Sequence, residues 1–210
     1  MDACCDESSS TLSVLRERQA SVLKLVLAIN ASMFLVESTA GLVAGSAALL
    51  GDSLDMLGDS LVYGFTLYVL HRSPAWRARA ALLKGIIMLL FGVGVLFVAA
   101  REFLSGEVPS AQMIGAVGAL ALAFNALCFF LLYRHRSDDL NMRSTWLCSR
   151  NDIVANVAVL AAAGAVYISQ SAWPDLLVGV AVAFLFLRSA TSVIGDATKE
   201  LAQAHAAERG

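Results

Sequence analysis

Asp55 and Asp59 stand one helical turn apart in the middle of residues 47–70, a stretch otherwise dominated by Leu, Gly, Ala, Val, Phe and Tyr. Asp52 adds a third acid, and the spacing i, i+3, i+7 places all three on one face of a helix. A charge at bilayer depth costs about 2.5–3.5 kcal/mol on insertion scales. Three in one span cancel most of what its apolar residues contribute, so a compensating cation is expected and the acids are where function is to be sought.

Two more apolar stretches carry polar lines. Asn30 and Glu37 are seven residues apart, again on one face, and Cys148, Asp152 and Asn156 follow at i, i+4 and i+8. Such stripes face a bundle interior or water, not acyl chains. A divalent cation in a tetrahedral site wants four ligands, and residues at i and i+4 of one helix supply two adjacent corners. Asp55 and Asp59 facing Cys148 and Asp152 complete the set with three oxygens and one sulfur. Thiolate with carboxylates suits Zn²⁺ or Cd²⁺ better than Mg²⁺ or Ca²⁺. The simpler alternative is that Cys148 is a small buried hydrophobe and the acids only bond neighbouring helices.

Elements able to hold these residues at depth follow from composition. The 210 residues are 58% hydrophobic and only 15% charged, where globular proteins run nearer about 25% charged. Apolar segments of about 20 residues recur along nearly the whole chain. They predict an all-α membrane protein with six transmembrane helices near 21–44, 47–70, 80–101, 111–133, 142–169 and 173–194. Hydropathy is almost continuous over 21–70, too long for one crossing, so a tight turn near Gly45 is required. For Asp152 to sit level with Asp55 and Asp59, the fifth helix must begin as early as Asn141 or Met142.

Basic residues set orientation. Arg16, Arg18 and Lys24 open the first span; Arg72, Arg77, Arg79 and Lys84 surround the second connection; Arg134, Arg136 and Arg143 lie in the fourth; Arg188, Lys199 and Arg209 are near the end. The other side has Arg101 alone, which by the positive-inside rule makes both termini cytoplasmic. Residues 1–19 are expected as a cytoplasmic tail, 20–194 as the transmembrane domain and 195–210 as a second short tail. The acidic MDACCDESSS does not resemble a secretory leader, and the four cysteines show no disulfide framework, so reduced thiols are expected. A net charge of −2 implies no nucleic-acid partner.

NASMFLVESTAGLVAGSAALLGDSLDMLGDS in the first two spans, with NMRSTWLCSRNDIVANVAVL entering the fifth, resembles the cation diffusion facilitator family. The resemblance covers essentially residues 20–194. It implies a six-helix bundle working as a metal-ion/proton antiporter, with the transport site at Asp55, Asp59, Cys148 and Asp152. Zinc-selective members often carry His where Cys148 stands, and His71, His135 and His205 all lie outside the spans, which points toward softer Cd²⁺ alongside Zn²⁺. Most members continue into a cytosolic metal-sensing domain that also dimerises. This chain resembles the truncated subgroup, so a homodimer is expected to form through membrane helices in the lipid bilayer. A bacterial inner membrane is the expected location.

Asp175, beside Pro174, reads as a cap opening the sixth helix. Asp52 either widens the exit route or hydrogen-bonds Asn30 or a backbone group. Arg150 points away from the Cys148–Asp152 stripe, toward headgroups or an acid on another span. No resident cofactor is expected, only transported Zn²⁺ or Cd²⁺. Metal binding needs deprotonated ligands and so releases protons; exchange then follows from competition for the same carboxylates. The rivals are a proton-coupled organic-cation exporter and a non-transporting membrane scaffold. No nucleophile–base set or phosphate loop supports an enzyme.

Overall fold

The computed structural model describes residues 3–69, 74–134 and 140–207; for 3–19, 65–69, 74, 75, 77, 140–151 and 204–207 the backbone alone is described. Six helices make up the described chain: α1 (Ala3–Ala44), α2 (Ala47–Val69), α3 (Pro74–Ser105), α4 (Ala111–Tyr133), α5 (Leu140–Ser169) and α6 (Trp173–Ala207). No strand occurs among the described residues.

The α2 and α4 limits lie within a residue of the hydropathy expectation, whereas α1, α3 and α6 run well past it. Hydropathy marks where lipid ends, not where a helix must. Runs past the expected limits such as Thr198–Gln203 are rich in Lys, Glu, Leu, Ala and Gln, which hold a helix as well as apolar residues do. α5 starts at Leu140, giving the longer fifth helix that Asp152 requires.

The turn near Gly45 is two residues long. Gly45 adopts φ +66°, a left-handed conformation that lacks a Cβ penalty only in glycine. Ser46 N–H donates to the Gly41 carbonyl at 2.9 Å, the reverse bond that closes a helix C-terminus over such a glycine. The Ser46 hydroxyl then accepts from Leu49 N–H at 3.0 Å and caps the start of α2. On the same end, α3 stops at Ser105 before Gly106 (φ +66°), and Ser110 caps α4 by accepting from Met113 N–H at 3.4 Å.

Helices pair as α1 with α2, α3 with α6 and α4 with α5, and α2 also touches α3, α5 and α6, so it is the hub. Leu50 and Leu54 of α2, Met88 and Val95 of α3, and Ala183, Phe186 and Ala190 of α6 form the largest apolar cluster. Outward positions are the reverse of a soluble protein's: Phe97 is 72% exposed, Leu104 82% and Ile168 84%. The buried list meanwhile includes Asn30, Glu37, Asp52, Asn125 and Asn156. Apolar outside with polar inside is the lipid solution. Five helices are long and apolar enough to cross a membrane; α2 is of spanning length but carries the three acids. The protein is a multi-pass membrane protein.

α6 crosses α2 closely at Gly179, where an added Cβ would overlap the Ala47 carbonyl. Gly179→Ala is therefore expected to destabilise the fold by about 1–3 kcal/mol, the usual cost of overpacking against backbone. Gly195→Ala, with no atom within 4 Å of the new methyl, is the control. Thermal unfolding in detergent reads both, and equal midpoints for the two variants would contradict the crossing.

Candidate metal site

α2 presents Asp52, Asp55 and Asp59 to one side, as the spacing requires. Asp52 is fully buried; Asp55 and Asp59 are partly buried. α5 faces them with Asp152, partly buried, and Asn156, fully buried. The link between the two helices is direct: Asn156 Nδ2 donates to Asp52 Oδ1 at 2.9 Å. The same amide donates to the Asp152 backbone carbonyl at 3.0 Å, which pins its orientation. Asp152 lies within Coulombic reach of Asp59, Asp55 and Asp52 together. An acidic stripe on α2 and a polar stripe with one acid on α5 thus oppose each other across one interface inside an apolar shell.

Asp55 and Asp59 interact electrostatically with Asp152 across the α2–α5 interface. The Cys148 side chain falls outside the described residues, as does that of Arg150. Among the described residues, no three His, Cys, Asp or Glu side chains converge on a common point as a closed metal cage would. Of these acids, Asp59 is held in place by its neighbours. Tyr63 Oη donates to Asp59 Oδ2 at 2.7 Å, and Lys84 of α3 attracts the same carboxylate.

Lys84 and Tyr63 were not singled out by sequence. Lys84 is a compensating cation of the kind three buried acids call for, yet in the sequence it reads only as one of the orienting charges near the second connection. Lys84 lies within the expected third span, and the packing of α3 on α2 is what brings it to Asp59. Tyr63 follows Asp59 by four residues, a spacing that could have flagged the bond. Cys128 of α4 is a second surprise. It is free and buried, lies 3.9 Å from Asn30 Nδ2, and is within Coulombic reach of Asp59 and Asp152.

Two further expectations resolve differently. Asp52 bonds Asn156, not Asn30; the Asn30 amide turns to the Val26 carbonyl at 2.9 Å. Asp175 does not cap its own helix. Its Oδ1 accepts from Ser46 Oγ at 2.6 Å and its Oδ2 from Ala48 N–H at 3.1 Å, so α6 caps the first turn of α2. The free N–H groups there attract an acid whichever helix supplies it.

A family model described as the cation efflux transmembrane domain matches residues 23–202, which takes in the apolar part of α1, the whole of α2 to α5 and nearly all of α6. Among curated proteins none matches the chain significantly.

Proposed function

The chain belongs to the cation efflux family of membrane cation transporters, the cation diffusion facilitators, and from that premise we propose that it exports Zn²⁺ or Cd²⁺ in exchange for protons, with Asp55, Asp59, Cys148 and Asp152 as the transport site. The observation that carries this reading is the opposition of Asp55 and Asp59 on α2 to Asp152 on α5. Carboxylates brought together in an apolar bundle repel one another, and a divalent ion relieves that repulsion. A metal bound there requires all of its ligands deprotonated, so each cation entering expels protons and each proton entering weakens the cation's hold. Coupling needs no separate device.

Asp59 enters that competition already bound to Tyr63 and attracted by Lys84. A ligating carboxylate held by a neighbour's hydroxyl is pre-aimed, and such outer contacts tune affinity. Access alternates when the helices tilt to expose the acids to one side and then the other, and the excess of basic residues at one face supports cytoplasmic termini.

Proteoliposomes holding a pH-sensitive dye test the whole reading. A Zn²⁺ or Cd²⁺ gradient should drive protons in the opposite direction, and a lumen whose pH ignores the gradient would overturn the antiporter. Cys148→His tests the fourth ligand. It is expected to move selectivity from Cd²⁺ toward Zn²⁺ by at least about tenfold, since changes one shell further out already cost that much. Competition between the two metals in the same vesicles measures the ratio, and an unaltered ratio would remove Cys148 from the site.

A further inference from the structure

Glu37 of α1 has no role in the transport site, yet it is fully buried and neither carboxyl oxygen has a hydrogen-bond partner. Packing fixes its level. Gly41 lies against Leu50, and Met33 packs with Met56, so Glu37, midway between them, lies level with Ser53 and next to Asp52. Its Coulombic neighbours are Asp52 first and Asp55 second. Asp52 spends one oxygen on Asn156 and leaves Oδ2 without a partner; Asn156 spends its amide nitrogen and leaves Oδ1 without one.

Four oxygens are therefore left buried and unmatched on the two sides of Asp52: both of Glu37, one of Asp52 itself and one of Asn156. Each such group costs about 1–3 kcal/mol while it lacks a partner. A single proton bridges only two of them. A divalent cation has the charge and the ligand number to take up all four, since four is the number zinc takes. Asn156 strengthens the case, because its oxygen is a neutral ligand that no acid–acid repulsion explains. Its orientation is set by two bonds from the other end of the amide.

We propose that Glu37, Asp52 and Asn156 form a second cation station, through which the transported divalent metal ion passes between the Asp55–Asp59–Asp152 acids and the end of the bundle closed by the Gly45 turn. The proposal rests on the reading of those acids as the transport site. Asp52 stands one helical turn from Asp55 and two from Asp59, rises of about 4.5 and 10 Å, so the station lies next in line beyond the transport acids. The Asp152–Asn156 stripe bridges the two levels on α5, and its amide links one site's backbone to the other site's ligand. With oxygen donors only, the station holds a metal less selectively for soft ions than a site containing sulfur.

The test is calorimetric titration of Zn²⁺ into the full chain in detergent, monodisperse by size exclusion. Wild type is compared with Asp59→Ala, and with Asp59→Ala carrying either Glu37→Gln or Asn156→Leu. Asp59→Ala should retain one weakened Zn²⁺ per chain, and either second change should lower that residual affinity at least tenfold. Glu37→Gln keeps shape and volume, so it decides the matter should Asn156→Leu fail to fold. Wild type binding Zn²⁺ while Asp59→Ala binds none would overturn the station and leave the transport site standing. Residual binding indifferent to Glu37→Gln would overturn it too, and a wild type that binds no Zn²⁺ would overturn both readings.

Discussion

Asp59→Ala brings metal-driven proton movement in proteoliposomes down to the level of empty vesicles. Asp59 lies where α2, α3 and α5 act on one carboxylate: Tyr63 donates to it, Lys84 attracts it and Asp152 repels it. Removing it takes one ligand from a four-ligand set and leaves Lys84 facing the remaining acids without its partner. A cation in place of the lost carboxylate then competes with the metal. Asp59→Asn separates charge from shape, since the carboxamide oxygen still accepts from Tyr63. It should be as inactive as the alanine variant while unfolding at the wild-type temperature. Proton movement persisting in both variants would mean that Asp59 is only a bond between helices.

Asp175→Ala is the second large effect, and it falls on stability. Asp175 is fully buried and holds the Ser46 hydroxyl and the Ala48 N–H from across the bundle. Glu102 of α3 stands beside it. Alanine orphans the two donors at the first turn of α2, where water cannot replace the lost acceptor. A loss of about 2–4 kcal/mol is expected, one to two unsatisfied groups' worth. Asp175→Asn keeps one acceptor and should lose roughly half as much. Thermal unfolding in detergent, followed by circular dichroism, reads the series, and an Asp175→Ala midpoint equal to wild type would show that the cap contributes nothing.

The two effects also mark what could be read without coordinates. Asp55, Asp59 and Asp152 were legible because helical periodicity in an apolar span leaves a polar side chain one place to go, the bundle interior. The Gly45 turn was legible because no bilayer accommodates a helix of fifty residues, and glycine is the residue that tolerates the reversal. Asp175 was misassigned for a physical reason. An acid in a helix's first turn ordinarily serves its own helix, and only the close crossing of α6 on α2 at Gly179 brings the Ser46 turn within its reach. The Asp52–Asn156 bond was hidden in the same way, since one helix's stripe does not say which of two opposing stripes it meets. Lys84 was visible as a charge but not as a partner, because the hydropathy of α3 does not say which carboxylate of α2 its side chain meets.

Gly45 and Ser46 are all that separates α1 from α2, which constrains how the protein is made. A segment bearing three acids partitions poorly when it leaves the ribosome by itself. Joined to an apolar neighbour by a link this short, it cannot wait outside while that neighbour crosses. The two must therefore be delivered as one hairpin, with α1 carrying its acidic companion through the translocon. Lengthening the link with a flexible polar insert would uncouple the pair during biosynthesis and strand α2 at the surface.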